Sequence, residues 1–150
     1  MNIQSAVTEG TNILKNKSIL SAKLDSEILM AKALGEKREY IILHNDKIIK
    51  EQNLKHFKKL VQERATRKPI AYLLNKKSFW NSEFYVNKNT LIPRPDTEII
   101  LEQILKFTKN KNYLNILDIG VGSGCILLSI LKERKNFYGT GIDISRNSLD

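Results

Sequence analysis

The chain of 150 residues contains a single cysteine, Cys125, which excludes an internal disulfide. Cys125 stands among apolar residues at the start of an expected helix and reads as a small buried side chain rather than a nucleophile. The two histidines, His44 and His56, have no cysteine or histidine at metal-ligand spacing, so no metal site is expected. No apolar run approaches the length of a membrane span, and the opening MNIQSAVTEG lacks a signal-peptide pattern. These absences point to a cytoplasmic protein without a membrane partner. Internal repeats and low-complexity segments are missing too.

What the sequence does have is positive charge, a formal +9. Residues 1–90 carry 17 Lys+Arg against 9 Asp+Glu, whereas residues 91–150 carry 8 against 7, so the basicity belongs to the N-terminal part. A basic face of this kind suits RNA, or a ribosome-bound or RNA-mimicking partner. Yet 19 of the 25 basic residues are lysine, and asparagine and isoleucine are also abundant, which an AT-rich coding sequence explains equally well. Arginines and aromatics, the side chains that read and stack on bases, are not clustered along the chain.

Apolar spacing predicts a small helical bundle over residues 1–68. Ile3, Val7, Ile13 and Leu14 give a loose stripe; Ser21 caps a helix carrying Leu24, Ile28, Leu29 and Ala33, closed by Gly35; residues 36–44 turn Tyr40, Ile41 and Leu43 inward. The clearest helix covers 51–67, with Leu54, Phe57, Val61 and Ala65 on one face, and Pro69 ends it. Residues 69–90 change character. Ala71-Tyr72-Leu73-Leu74 and then Phe79, Trp80, Phe84, Tyr85 and Val86 are broken by Asn75-Lys76-Lys77 and Asn81-Ser82, which predicts strands in a β-hairpin linker with core aromatics. In residues 91–150, Pro93 and Pro95 stiffen a loop around Arg94, and Asp96 or Thr97 caps a helix through Leu101 and Leu105.

The densest chemistry lies in LNILDIGVGSGCILLSILKERKNFYGTGIDIS, residues 114–145. An apolar strand ends in Gly120, Gly122 and Gly124; a helix follows, then a second strand with Asp143 at its C-terminal end. This is the first half of a nucleotide-binding α/β unit, in which the acid accepts hydrogen bonds from ribose hydroxyls and a helix N-terminus faces the ligand. The spacing is G-x-G-x-G rather than G-x-G-x-x-G, and no lysine is present to make a phosphate-binding loop. The pattern Asp118-x-Gly120-Val121-Gly122-Ser123-Gly124 looks like motif I of class I methyltransferases, which bind S-adenosylmethionine.

LIPRPDTE, followed by LDIGVGSGCILLSIL and GIDIS, resembles the HemK/PrmC family, the release factor glutamine methyltransferases. Arg67-Lys68-Pro69-Ile70-Ala71-Tyr72 and Phe79-Trp80 resemble it too. The resemblance implies an α + α/β protein: a helical release-factor-recognition domain (1–68), a hairpin linker (69–90) and the N-terminal part of a class I, Rossmann-like methyltransferase domain (91–150). It implies S-adenosylmethionine as cofactor and class 1 peptide chain release factors as protein substrates, methylated on the glutamine amide of a Gly-Gly-Gln motif. Carried over by residue, Gly120, Val121, Gly122, Ser123 and Gly124 cradle the methionine part, Asp143 holds the ribose, Asp118 supports the loop, and Arg94 and Pro95 line the entrance. Val121 stands where the family often has threonine, and Asn75 where a turn glycine is common. The family's catalytic Asn-Pro-Pro-Tyr does not occur in these residues, so no catalytic residue is assigned. The sequence is then expected to be a fragment of a longer enzyme or a truncated product, inactive alone. The alternatives are a non-catalytic release-factor-binding module and a nucleic-acid N-methyltransferase; LIPRP argues against the latter.

Overall fold

Asn2 opens the first helix: its side-chain oxygen accepts the Ser5 N–H at 2.9 Å and satisfies one orphan donor of the first turn. The computed structural model describes residues 1–148, leaving the last two positions of the expected 91–150 segment outside it. Five helices, α1 (Ile3–Asn16), α2 (Ala22–Leu34), α3 (Arg38–Leu43), α4 (Glu51–Ala65) and α5 (Ile70–Leu74), make a compact unit, Met1–Leu74. Its core takes Ile3, Val7 and Leu14 from α1, Leu29 and Met30 from α2, and Phe57, Leu60 and Val61 from α4. The α4 stripe is as expected, with Leu54 and Ala65 at the core's margin. Gly35 closes α2 at φ 72°, and the Glu36 N–H reaches the Ala31 carbonyl at 3.0 Å, a Schellman-type end that needs a left-handed residue.

Three local expectations fail. Ser21 does not cap α2 with its side chain; its hydroxyl donates to the Asp25 carboxylate at 2.9 Å. Leu43 faces solvent, because α3 has only six residues and Ile41 alone of its side chains is buried. Ile70–Leu74 is helical rather than extended: the Pro69 carbonyl accepts from Tyr72 and Leu73, and Ala71 and Leu73 are buried. Asn75 then turns the chain at φ 57°, the left-handed angle that asparagine tolerates in place of glycine.

Gly10 marks a close approach between helices of the bundle that no sequence pattern singled out. A Cβ there would lie 2.7 Å from both Phe57 Cζ and Ser26 Oγ. Gly10→Ala is therefore expected to destabilise the unit by about 1–3 kcal/mol through overpacking, although the same change in an open helix stabilises. Urea denaturation followed by circular dichroism measures it; unchanged or raised stability would show that Phe57 yields.

The second unit begins at Asn75. Strands β1 (Lys76–Phe79) and β2 (Ser82–Tyr85) pair antiparallel across Trp80-Asn81. They are followed by α6 (Thr97–Phe107), β3 (Asn115–Ile119), α7 (Cys125–Glu133), β4 (Tyr138–Ile142) and a 3₁₀ turn at Arg146–Ser148. The hairpin packs with the α/β elements of this unit. Phe79 and Phe84 meet edge to face at 6.1 Å in a core with Leu101, Ile130 and Phe137. Trp80 sits at φ 52°, held by its N–H to Glu98 Oε1 (2.7 Å) and its indole N–H to Glu133 Oε1 (2.8 Å). Lys132 adds bonds to Asn81 O and Ser82 Oγ at 2.8 Å, so α6 and α7 both grip the hairpin.

Strands β3 and β4 pair in parallel, from Asn115↔Tyr138 to Ile119↔Ile142, with α7 as the crossover. Ile116 packs against the core, while Leu117, Ile119, Tyr138 and Ile142 are exposed on the opposite face. Parallel sheets are ordinarily covered on both faces, so this pair has the character of part of a larger sheet. The architecture is a helical bundle, then a hairpin and a two-stranded parallel α/β unit.

Candidate cofactor site

Gly120, Gly122 and Gly124 have φ of 83°, 52° and 73°, so all three lie in the left-handed region where a side chain is strained. The strand-to-helix turn requires them for its path. A Cβ on Gly120 would meet nothing within 4 Å, and one on Gly122 only a backbone oxygen at 3.9 Å. The space beside the main chain is thus open to another molecule. The Gly120 and Val121 N–H groups both donate to Ile142 O, at 2.7 and 3.0 Å, which ties the loop to the end of β4.

Asp143 completes the lock. One carboxylate oxygen accepts the Gly122 N–H at 2.9 Å and the other the Ser145 N–H at 2.8 Å. The Ser145 bond, then the Gly122 bond, hold the carboxyl below its ordinary value of 3.8. Asp143 is therefore a fixed negative charge beside the loop, and each oxygen retains a lone pair for a further donor.

Val121 has a structural reason that the sequence did not reveal. Its side chain lies on Gly141 of β4, where a Cβ would approach Val121 Cγ2 to 2.7 Å; Gly139 makes similar room for Leu127 of α7. Gly139 and Gly141 are the residues missed here, and their signal was the Gly-Thr-Gly alternation on one face of β4. Gly141→Ala is expected to displace the loop and destabilise the second unit by about 1–3 kcal/mol. Thr140→Ala, on the other face, should leave stability nearly unchanged, as thermal unfolding would show; equal effects would separate Gly141 from the loop.

The remaining expected residues sit as follows. Asp118 is half-buried, paired with Gly141 across the strands, and makes no side-chain hydrogen bond among the described residues. Arg94 and Pro95 are exposed, and their carbonyls accept from Thr97 and Glu98 to start α6; neither Asp96 nor Thr97 caps that helix with a side-chain bond. Gly122 and Ser123 open on a cleft of about 370 Å³ whose other walls include Tyr85 of β2, Asn87 and Thr90 after the hairpin, and Asn147 and Ser148 beyond β4. Arg94 and Pro95 do not line it. Cys125 is half-buried with its thiol pKa raised by burial. Among the described residues no cluster could hold a metal ion, and no helix is long and apolar enough to cross a membrane.

A five-helix unit and a strand–glycine loop–helix–strand unit with a terminal acid define the class: a helical domain followed by the opening of a class I methyltransferase domain. Residues 5–74 match the family model described as the PrmC N-terminal domain. The chain is 38% identical over 150 residues, 99% of its own length and 52% of the relative's, to a release factor glutamine methyltransferase of Leptospira interrogans. It is 33% identical to that of Caulobacter vibrioides, with 99% and 52% covered, and 39% identical to that of Buchnera aphidicola, with 89% and 48% covered. Each of these relatives is named a release factor glutamine methyltransferase, and the chain spans about half the length of the curated relatives it matches.

Proposed function

We propose that the second unit holds S-adenosylmethionine and that the protein serves glutamine methylation of class 1 peptide chain release factors. The observation that carries this reading is the trio of left-handed glycines locked to Asp143. The open space at Gly120 and Gly122 fits a ligand laid against the main chain, and the acid fits a ribose diol. Gly120 to Gly124 would take the methionine part, with the first N–H groups of α7 favouring its carboxylate. Asp143 would take the ribose hydroxyls, Asp118 would steady the strand end, and Arg94 and Pro95 would stand at the entrance. When bound, the cofactor would supply a sulfonium-held methyl group for a glutamine amide nitrogen, which would give up a proton in exchange. An amide nitrogen is a weak nucleophile, so alignment must supply much of the rate.

In this proposal residues 1–68 recognise the release factor, 69–90 link, and 91–150 begin the methyltransferase domain. The helical unit offers a groove of about 290 Å³ along α1, with Ile3, Val7 and Ile41 in its lining and Gln4, Asn12, Lys15 and Lys23 beside them, and its basic character brings it close to RNA or the ribosome through that partner. The test couples two readouts on the chain. Calorimetry should show S-adenosylmethionine binding, and co-precipitation should show release-factor capture that Asp143→Ala leaves intact. A polypeptide of these residues should leave the Gly-Gly-Gln glutamine unlabelled in a radiolabelled methyl-transfer assay, because nothing in it corresponds to Asn-Pro-Pro-Tyr. Failure of capture would remove the helical unit's role; labelling would place the amide-holding groups within these residues.

A further inference from the structure

At the end of the second unit away from the glycine loop, the loop after α6 and the loop after α7 enclose a cleft of about 400 Å³. Lys111, Lys132, Arg134 and Lys135 line it with Asn112 and Asn136. Lys106 and Lys109 lie just before it at the end of α6. None of these six cations forms an ion pair among the described residues. Glu133, the one acid lining the cleft, accepts the Trp80 indole N–H. The charge is therefore uncompensated locally.

Arg134 is anchored at the cleft: its Nη2 donates to Leu105 O at 2.9 Å. Aromatic rings flank the same loops. Phe107 and Tyr113 are each more than half exposed, and Tyr113 directly follows the cleft residue Asn112.

We infer that this basic, aromatic end of the second unit binds the sugar-phosphate backbone of single-stranded RNA, with Arg134 and the lysines on phosphates and the exposed rings stacking on bases. Clustered cations alone would suit any polyanion. The interleaved rings and the asparagine amides favour RNA over an acidic polypeptide, which has no bases to stack. The surface is separate from the glycine loop and does not depend on cofactor binding. It also differs from the lysine-rich N-terminal part, to which the sequence alone assigned the charge.

The experiment is fluorescence anisotropy of the 150-residue chain with a labelled single-stranded RNA of about 12 nucleotides, within the usual site size for single strands. Binding should weaken with salt at a log–log slope of about −3, the value for about four neutralised phosphates on a single strand. The triple variant Lys109→Gln, Lys111→Gln, Lys135→Gln, all exposed positions, should lose at least tenfold in affinity, and Phe107→Ser several-fold. Lys50→Gln, Lys55→Gln, Lys59→Gln in the helical unit should change it less than twofold. Circular dichroism confirms that each variant is folded. The proposal is overturned if the helical-unit variant loses as much as the first, if a polyglutamate peptide binds as tightly as the RNA, or if the RNA does not bind at low salt.

Discussion

Replacing Asp143 with alanine is expected to lower affinity for S-adenosylmethionine at least about tenfold, the scale of a lost hydrogen bond to a charged group. Two losses combine. The ribose loses its anionic acceptor, and the glycine loop loses the Gly122 anchor that keeps it in its left-handed course. Asp143→Asn keeps one acceptor oxygen and the side-chain shape, so it should fall between wild type and alanine. Calorimetric titration decides, and unchanged affinity in the alanine variant would remove Asp143 from the site. The pH dependence has a definite sign. The folded pKa lies below the ordinary 3.8, chiefly through the Ser145 N–H and then the Gly122 N–H. Its contribution to stability is thus fully present above that ordinary value and is lost as pH falls through the lower folded value. Loop order should accordingly persist at pH 5 and fail only in strong acid.

The largest effect on stability is expected at Asp25→Ala. Asp25 and Arg64 join α2 to α4 through a 2.7 Å contact, with their side chains only 5% and 16% exposed. The Ser21 hydroxyl donates to the same carboxylate oxygen as Arg64 Nε, and Arg64 Nη1 also donates to Lys68 O at 3.1 Å. Alanine at 25 leaves a buried guanidinium without its counter-charge, at a cost of about 3–5 kcal/mol. A domain's whole stability is about 5–15 kcal/mol, and a unit this small sits at the low end, so much of it should be unfolded. The double variant Asp25→Leu, Arg64→Met removes both charges and should recover most of the loss. Urea denaturation of the three proteins measures this; a double variant as weak as Asp25→Ala would assign the cost to packing.

The glycine cluster and Asp143 were legible in the sequence because their chemistry is local: left-handed turns need glycine, and the acid stands at a strand's end. The α4 stripe was legible because helical periodicity repeats over four turns. Ile70–Leu74 was misread because five β-forming or neutral residues carry too little periodicity, and Pro69 and burial decided the helix. Gly10 was not legible, since it is set by Ser26 and Phe57, distant in the chain. The hairpin was found, but its allegiance depends on Glu98 and Glu133, 18 and 53 residues away from Trp80. Likewise, the cations around Arg134 are scattered in the sequence and meet only because α6 and α7 end together.

The central claim is that the loop from Gly120 to Gly124, with Asp143, is an S-adenosylmethionine site. Its most direct measurement is a titration of that compound into the ¹⁵N-labelled chain, read by amide chemical shifts. The account predicts saturable shifts at Gly120, Gly122, Gly124 and Ser145, little change across α1 to α5, and loss of the response in Asp143→Ala. No shift at saturating ligand, or an equal response to NAD, would contradict it.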